Sequence, residues 1–403
     1  MRTPRTSPLA RLAPFVVAVA VLGACSSGSS SDGEAAPSTT EGSASETTTA
    51  ARAADPAYAE RGDAEVGVRT IALDDGRQVV VWYPAAPSAA EQPTSTFDIA
   101  SLLSPELQAK VPADLRPQYE IDAHPGADPG EEGPYPVVLF SHGFAGFPEQ
   151  SADLVTHLAS WGFVVVAPEH VERSLAGLLG TSAQGVAERE DPEVLSASLD
   201  AAVADGDVDG SPLAGLLDVE QVAVVGHSAG ASAAYLTASG DERIDAFIAY
   251  SVGTGRPDDD GNVPERPVPD VPGMVMAGEG DGIIPVESSR EVYDGMASPK
   301  YWVEIAEAGH LVFSDLCLVG RDQGGLVGLI EEAQLELPEN LIRLASDGCE
   351  ADRPDPADAF GAIDHFSVAF LRSTFGIDPE PVGLDAATAD SFAPVVRSFE
   401  ADA

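Results

Sequence analysis

From about residue 79 onward the chain alternates short, nearly unbroken apolar runs with stretches whose apolar residues recur every three or four positions. The runs are 79–83, 137–140, 163–167, 222–225, 246–250, 274–277 and 301–305, and their length and β-branched content predict strands. Between them, 150–160, 192–203, 229–238 and 287–296 carry the spacing of helices. A last amphipathic helix is expected over 360–375, with Phe360, Ile363, Phe366 and Phe370 on one face. Strands that are apolar throughout, rather than alternating, are covered on both faces. The pattern therefore predicts an α/β domain with a mostly parallel central sheet and helices on both sides.

Two stretches break this rhythm. Residues 85–133 separate an early strand from the run at Val137, and 99–115 within them could form one or two short helices. Residues 311–358 form a second interruption and carry Cys317 and Cys349. Segments this long inside a compact domain are usually lids or binding loops.

The chain's beginning reads differently. Arg2, Arg5 and Arg11 precede an apolar run from Leu12 to Leu22, the length of a signal-peptide core and too short to span a bilayer. The run closes on Leu22-Gly23-Ala24-Cys25, which looks like a bacterial lipobox, and that resemblance implies lipid modification of Cys25. Residues 1–24 are then a signal peptide, and 25–55, almost all Ser, Thr, Ala, Gly and Glu, a flexible tether with nothing large to bury. The folded domain is placed at 56–380, with 381–403 as a C-terminal tail. These readings expect an extracytoplasmic protein held at the cell membrane by its N-terminal lipid alone.

Charge changes the list of partners. The net charge is −45, and lysine occurs only at 110 and 300. Nucleic acid is excluded as a partner, since phosphate binding needs concentrated basic side chains. An acidic surface suits solubility outside the cell and disfavours polyanionic substrates. With Cys25 given to lipid, Cys317 and Cys349 form an even pair in an oxidising compartment, where a disulfide is expected.

The chemistry is concentrated at Gly226-His227-Ser228-Ala229-Gly230, between the strand ending at Val225 and the small-residue helix from Ala229. Strand, tight turn and helix are what a G-x-S-x-G nucleophile elbow requires, so Ser228 is the expected nucleophile. A second motif, Ser141-His142-Gly143-Phe144-Ala145-Gly146, ends the strand at 137–140.

Together these motifs resemble the α/β-hydrolase superfamily. The resemblance implies an oxyanion hole built from the backbone N–H groups of Phe144 and Ala229. It also fixes the chain order as serine, acid, histidine. Only His310 and His365 follow Ser228. His310 lies in a loop directly after the strand at 301–305, whereas His365 lies inside the last helix and is expected to pack. His124, His142, His157, His170 and His227 receive structural roles. The string from Gly278 to Pro285 is similar to the acid loop of dienelactone hydrolases and cutinase-like polyester hydrolases, which makes Asp281 the acid and Glu279 its runner-up. Residues 140–174, ending Glu169-His170-Val171-Glu172-Arg173-Ser174, look like platelet-activating-factor acetylhydrolases. This chain departs from the vertebrate type of that family, which takes its acid one strand earlier, where Tyr250-Ser251 stand here. The resemblances imply a serine ester hydrolase that works through an acyl-enzyme, needs no cofactor, and takes a small-molecule, lipid or polyester substrate. The alternatives are a phospholipid or platelet-activating-factor acylhydrolase, an acyltransferase, and a silent lipid-binding lipoprotein. Asp205, Asp207 and Asp209 begin a calcium-loop spacing, but Leu216 stands where Glu is needed, so no metal is expected.

Overall fold

The computed structural model describes residues 53–402, apart from 117, 184, 256–265 and 333. The signal segment, Cys25 and nearly all of the tether lie outside the described residues.

The strands in chain order are β1 (Glu65–Ala72), β2 (Gln78–Ala85), β3 (Ser95–Asp98), β4 (Gln118–Ile121), β5 (His124–Pro125), β6 (Tyr135–Ser141), β7 (Val164–Pro168), β8 (Leu217–His227), β9 (Ala246–Tyr250), β10 (Gly273–Gly278), β11 (Lys300–Ile305) and β12 (Val396–Asp402). The helices are α1 (Pro105–Gln108), α2 (Ala152–Ser160), α3 (Leu175–Leu178), α4 (Asp191–Gly206), α5 (Ala229–Gly240), α6 (Val286–Gly295), α7 (Gly325–Glu332), α8 (Glu339–Leu344), α9 (Ala357–Thr374) and α10 (Ala386–Ser391). Ten strands make one sheet in the order β12-β11-β10-β9-β8-β6-β7-β2-β1-β5, while β3 and β4 pair separately. The six strands from β11 to β7 run parallel, and β2 and β12 close them off with antiparallel pairings.

The parallel strands read as continuous apolar runs because each feeds two cores. In β8, Ala223 and Val225 join the core beneath α2 and α9, whereas Val222 and Val224 join the core beneath α4, α5 and α6. On the first face Leu154, Leu158, Phe366 and Phe370 are buried; on the second, Leu195, Leu199 and Tyr293. Burying a Leu, Val or Phe side chain stabilises by about 1.5–3 kcal/mol, so both layers are needed to hold so wide a sheet. Helix starts are marked locally: α4 opens with Asp191-Pro192-Glu193, a proline whose missing N–H costs nothing there and acids that complement the helix dipole.

The chain leaves β6 towards β7 on one side of the sheet, and leaves β8 towards β9 on the other. At such a reversal the loops at the strands' C-terminal ends diverge and leave a crevice. Both sequence motifs, after β6 and after β8, open onto it.

The stretch at 381–402, read from sequence as a tail, is folded. It supplies α10 and then β12, which pairs with β11 along the sheet's edge. Its polar sequence VRSFEAD carries little strand signal because one side of an edge strand meets solvent and only Val396 is buried. The expected short helices at 99–115 are present as α1 and two single turns. Among the described residues no helix is long and apolar enough to cross a membrane.

Candidate active site

Ser228 stands between β8 and α5 with φ 60° and ψ −117°, a conformation that a non-glycine residue adopts only when its surroundings enforce it. The enforcement comes from the two flanking glycines. A Cβ on Gly226 would collide with the carbonyl of Gly230, and one on Gly230 with the carbonyl of Ser141. Backbone therefore touches backbone on both sides of the turn. The Ser228 N–H donates to the Tyr250 carbonyl at 2.9 Å. Ala229 is the first residue of α5, where helix geometry leaves an N–H without an internal partner.

The base and acid candidates meet. His310 Nδ1 lies 2.8 Å from Asp281 Oδ2, and both side chains are buried to 1 % exposure. Asp281 Oδ1 accepts the N–H groups of Ile283 at 2.8 Å and Ile284 at 2.7 Å. Burial pushes the Asp281 carboxyl up, but His310 and the Ile284 N–H outweigh it and hold the group below its ordinary value, so it stays ionised. The other ring nitrogen, His310 Nε2, is buried and has no hydrogen-bond partner. It belongs to the wall of the cavity that Ser228 also lines.

The runner-up residues are elsewhere. Glu279 is half-buried and engaged by Arg397 and by the Glu307 N–H, both at 2.9 Å. His365 packs inside α9, its ring nitrogens 3.2 Å from the Tyr58 nitrogen and 3.1 Å from the Gly383 oxygen. Asp205, from the weak calcium spacing, pairs with Arg69 at 2.9 Å.

The loop after β6 is held from beneath by residues to which sequence assigned only structural roles or none. Arg173 reaches the Ser141 hydroxyl at 2.9 Å, the Gly143 carbonyl at 3.0 Å and the His142 carbonyl, and is balanced by Asp191 at 3.0 Å. Its burial in the E-H-x-x-R-S stretch gives that motif a physical meaning: it buttresses the candidate oxyanion loop. His142 is buried; desolvation and the adjacent Arg173 push its pKa well down, so it is a neutral strut. Gln150 accepts the Gly143 N–H at 3.2 Å with its carbonyl and places its amide nitrogen 3.2 Å from His227 Nδ1. The motif marks Arg173 without saying what it touches, because its contacts lie about thirty residues back along the chain, and Gln150 meets His227 from 77 residues away.

The cavity over Ser228 has a volume of about 160 Å³ and an almost wholly apolar wall. Leu103 and Val111 come from the first insertion, Leu175 and Leu179 from around α3, and Leu326 and Leu341 from α7 and α8 of the second. Phe144 stands half out of it, 37 % exposed. Cys317 and Cys349 form a disulfide that closes the second insertion on itself. Among the described residues no cluster of His, Cys, Asp and Glu is arranged to hold a metal.

A family model described as Chlorophyllase matches residues 126–255, which include the loop after β6 and the elbow but end before Asp281 and His310. The chain is 26% identical over 245 residues to a "Putative carboxymethylenebutenolidase" of Methylorubrum extorquens, covering 57% of this chain and 79% of that protein. Among solved structures it is similar to a ferulic acid esterase from Streptomyces cinnamoneus, with 22% identity and a TM-score of 0.49 over 77% of this chain and 90% of that one. With its strand order, its serine elbow and the matches to that family model and to the Methylorubrum protein, the chain has the α/β-hydrolase fold.

Proposed function

We propose that the protein is a serine carboxylic-ester hydrolase acting through an acyl-enzyme, with Ser228, His310 and Asp281 as its catalytic triad. The observation that carries this reading is the His310–Asp281 contact at 2.8 Å, with the opposite imidazole nitrogen left unpaired in the wall of the cavity that Ser228 lines. Asp281 holds the Nδ1–H tautomer, so Nε2 is free to take the Ser228 proton as Oγ attacks the ester carbonyl. The N–H groups of Phe144 and Ala229 receive the oxyanion, each such donor lowering the barrier by about 3 kcal/mol. His310 then returns the proton to the leaving alcohol. In the second half-reaction it takes a proton from water, which attacks the acyl-enzyme and releases the acid.

The apolar wall favours esters with an uncharged, hydrophobic acyl or alcohol group, which keeps phospholipid-type acyl chains among the substrates. We further propose that the domain works outside the cytoplasm, tethered through a lipidated Cys25. Covalent labelling by a fluorophosphonate probe, together with hydrolysis of short- and long-chain nitrophenyl esters, tests the reading. Ser228→Ala should abolish both labelling and turnover while leaving the circular dichroism and melting curve close to wild type. A folded wild-type protein that never labels would instead be a binding lipoprotein.

A further inference from the structure

The second insertion lines the cavity, and it also touches the acid and base loops directly. Asp347 Oδ1 accepts the backbone N–H of His310 at 2.7 Å and that of Gly282 at 3.2 Å. Its own carbonyl accepts the Leu311 N–H at 3.0 Å. One carboxylate oxygen thus bridges the residue after Asp281 and the base candidate itself, from a position 37 residues beyond His310. Packing agrees with the hydrogen bonds. A Cβ on Gly309 would run into the backbone of Gly348, so the two chains lie in direct contact. Cys349, two residues past Asp347, is tied by its disulfide to Cys317, on the turn that follows the His310 loop. The insertion therefore leaves the His310 loop and is fastened back onto it.

We infer that Asp347 is a positioning residue, which sets the separation of the acid and base loops and so the aim of His310 Nε2. This inference rests on the proposed triad. The reason for a carboxylate is geometric: a single oxygen with two lone pairs faces two N–H groups from different loops, and no backbone carbonyl reaches there. Charge on the side chain strengthens both bonds. Asp347 makes no contact with the cavity and takes no part in proton transfer.

The test compares Asp347→Ala with Asp347→Asn in the full-length, disulfide-intact protein, using para-nitrophenyl butyrate. Asparagine keeps an oxygen able to accept both N–H groups, whereas alanine does not. Asp347→Ala should lower kcat by about 10- to 100-fold with KM within about twofold, as expected when a general base is misaimed by a fraction of an ångström. Asp347→Asn should restore kcat to within about threefold of wild type. Equal losses in the two variants, or an alanine variant within twofold of wild type, would overturn the inference. Should the alanine variant fail to fold, Asp347→Ser, whose hydroxyl is too short to reach both loops, takes its place. Amide hydrogen exchange needs no turnover and separates this inference from the triad on which it rests. Exchange at His310 and Gly282 should quicken in the alanine or serine variant and not in Asp347→Asn, and unchanged exchange refutes the hold. Wild-type protein that shows neither turnover nor labelling would remove the triad instead, whatever the exchange result.

Discussion

His227 Nε2 lies 2.9 Å from the carbonyl oxygen of His310, so the residue before Ser228 also holds the His310 loop. Because a carbonyl can only accept, His227 carries its proton on Nε2, and its bare Nδ1 faces the Gln150 amide. Burial, reinforced by the neighbouring His310, pushes the His227 pKa down to about 3, so the ring is neutral at any working pH. A continuous path of hydrogen bonds runs from Gly143 through Gln150 and His227 to His310. It joins the loop after β6, the elbow and the His310 loop into one frame.

Gln150 is the middle of that frame, and Gln150→Leu leaves the Gly143 N–H and His227 Nδ1 buried and unpaired. Each such orphan costs about 1–3 kcal/mol. The variant should melt several degrees lower and lose about tenfold in kcat, with little change in KM, because the loop after β6 loosens while the leucines that make up most of the cavity wall stay in place. Steady-state kinetics and a melting curve check this; a loss confined to KM would show that the path serves binding alone.

Asp281→Asn should lower kcat by orders of magnitude, because an amide can donate to His310 Nδ1 and so favour the wrong imidazole tautomer. Glu279→Gln, whose carboxylate faces Arg397 and the Glu307 N–H, should change kcat by less than about tenfold. The two are distinguished by kinetics on one ester at saturating substrate. A large effect at 279 with none at 281 would move the acid to the neighbouring side chain.

Stability should depend on pH through a buried carboxyl. Asp315 follows the base loop and accepts the Asp153 N–H at 3.0 Å. Burial first, and then the nearby Asp153 carboxyl, raise its pKa from 3.8 to about 7. Asp364 in α9 is pushed well up by burial and by Asp153, and His157 stands 3.5 Å from it. Tyr119 and, beyond Asp153, Arg61 complete the surroundings. Between about 4 and 7 the folded chain keeps a proton that the unfolded chain has released, so the Asp315 contribution makes unfolding easier as pH rises through that window. Asp315→Asn removes this contribution. Its stability relative to wild type should improve by on the order of a few kcal/mol between pH 5 and pH 8. Buried neutral His157 and His170, lowered to about 4 by desolvation, titrate in both proteins and cancel in the difference. Urea unfolding at several pH values measures it, and a pH-independent gap would contradict the assignment.

Much of the fold is legible in the sequence because strands buried on both faces must be apolar throughout. All seven apolar runs form strands of the main sheet, and the five helices predicted from spacing are present as α2, α4, α5, α6 and α9. β1, with Arg69 and Thr70 amid its valines, and β12, with one buried residue, exist by pairing with β2 and β11 and carry no comparable pattern. The site divides the same way. Ser228, Asp281 and His310 each follow a strand, and position in the fold marks them. Gln150, Arg173 and Asp347 act by reaching atoms far away in the chain, the His227 ring for Gln150 and backbone for the other two, and only the folded geometry brings those atoms to them.

The cavity over Ser228 separates two kinds of inheritance. Its reactive floor comes from strand ends locked by packing on both sheet faces, where change is punished at once. Its roof comes from α7, α8 and the segment around α1, surface stretches that tolerate insertion and exchange. Substitutions at Leu103, Leu326 or Leu341 can therefore reshape what enters while leaving the reacting atoms where they are.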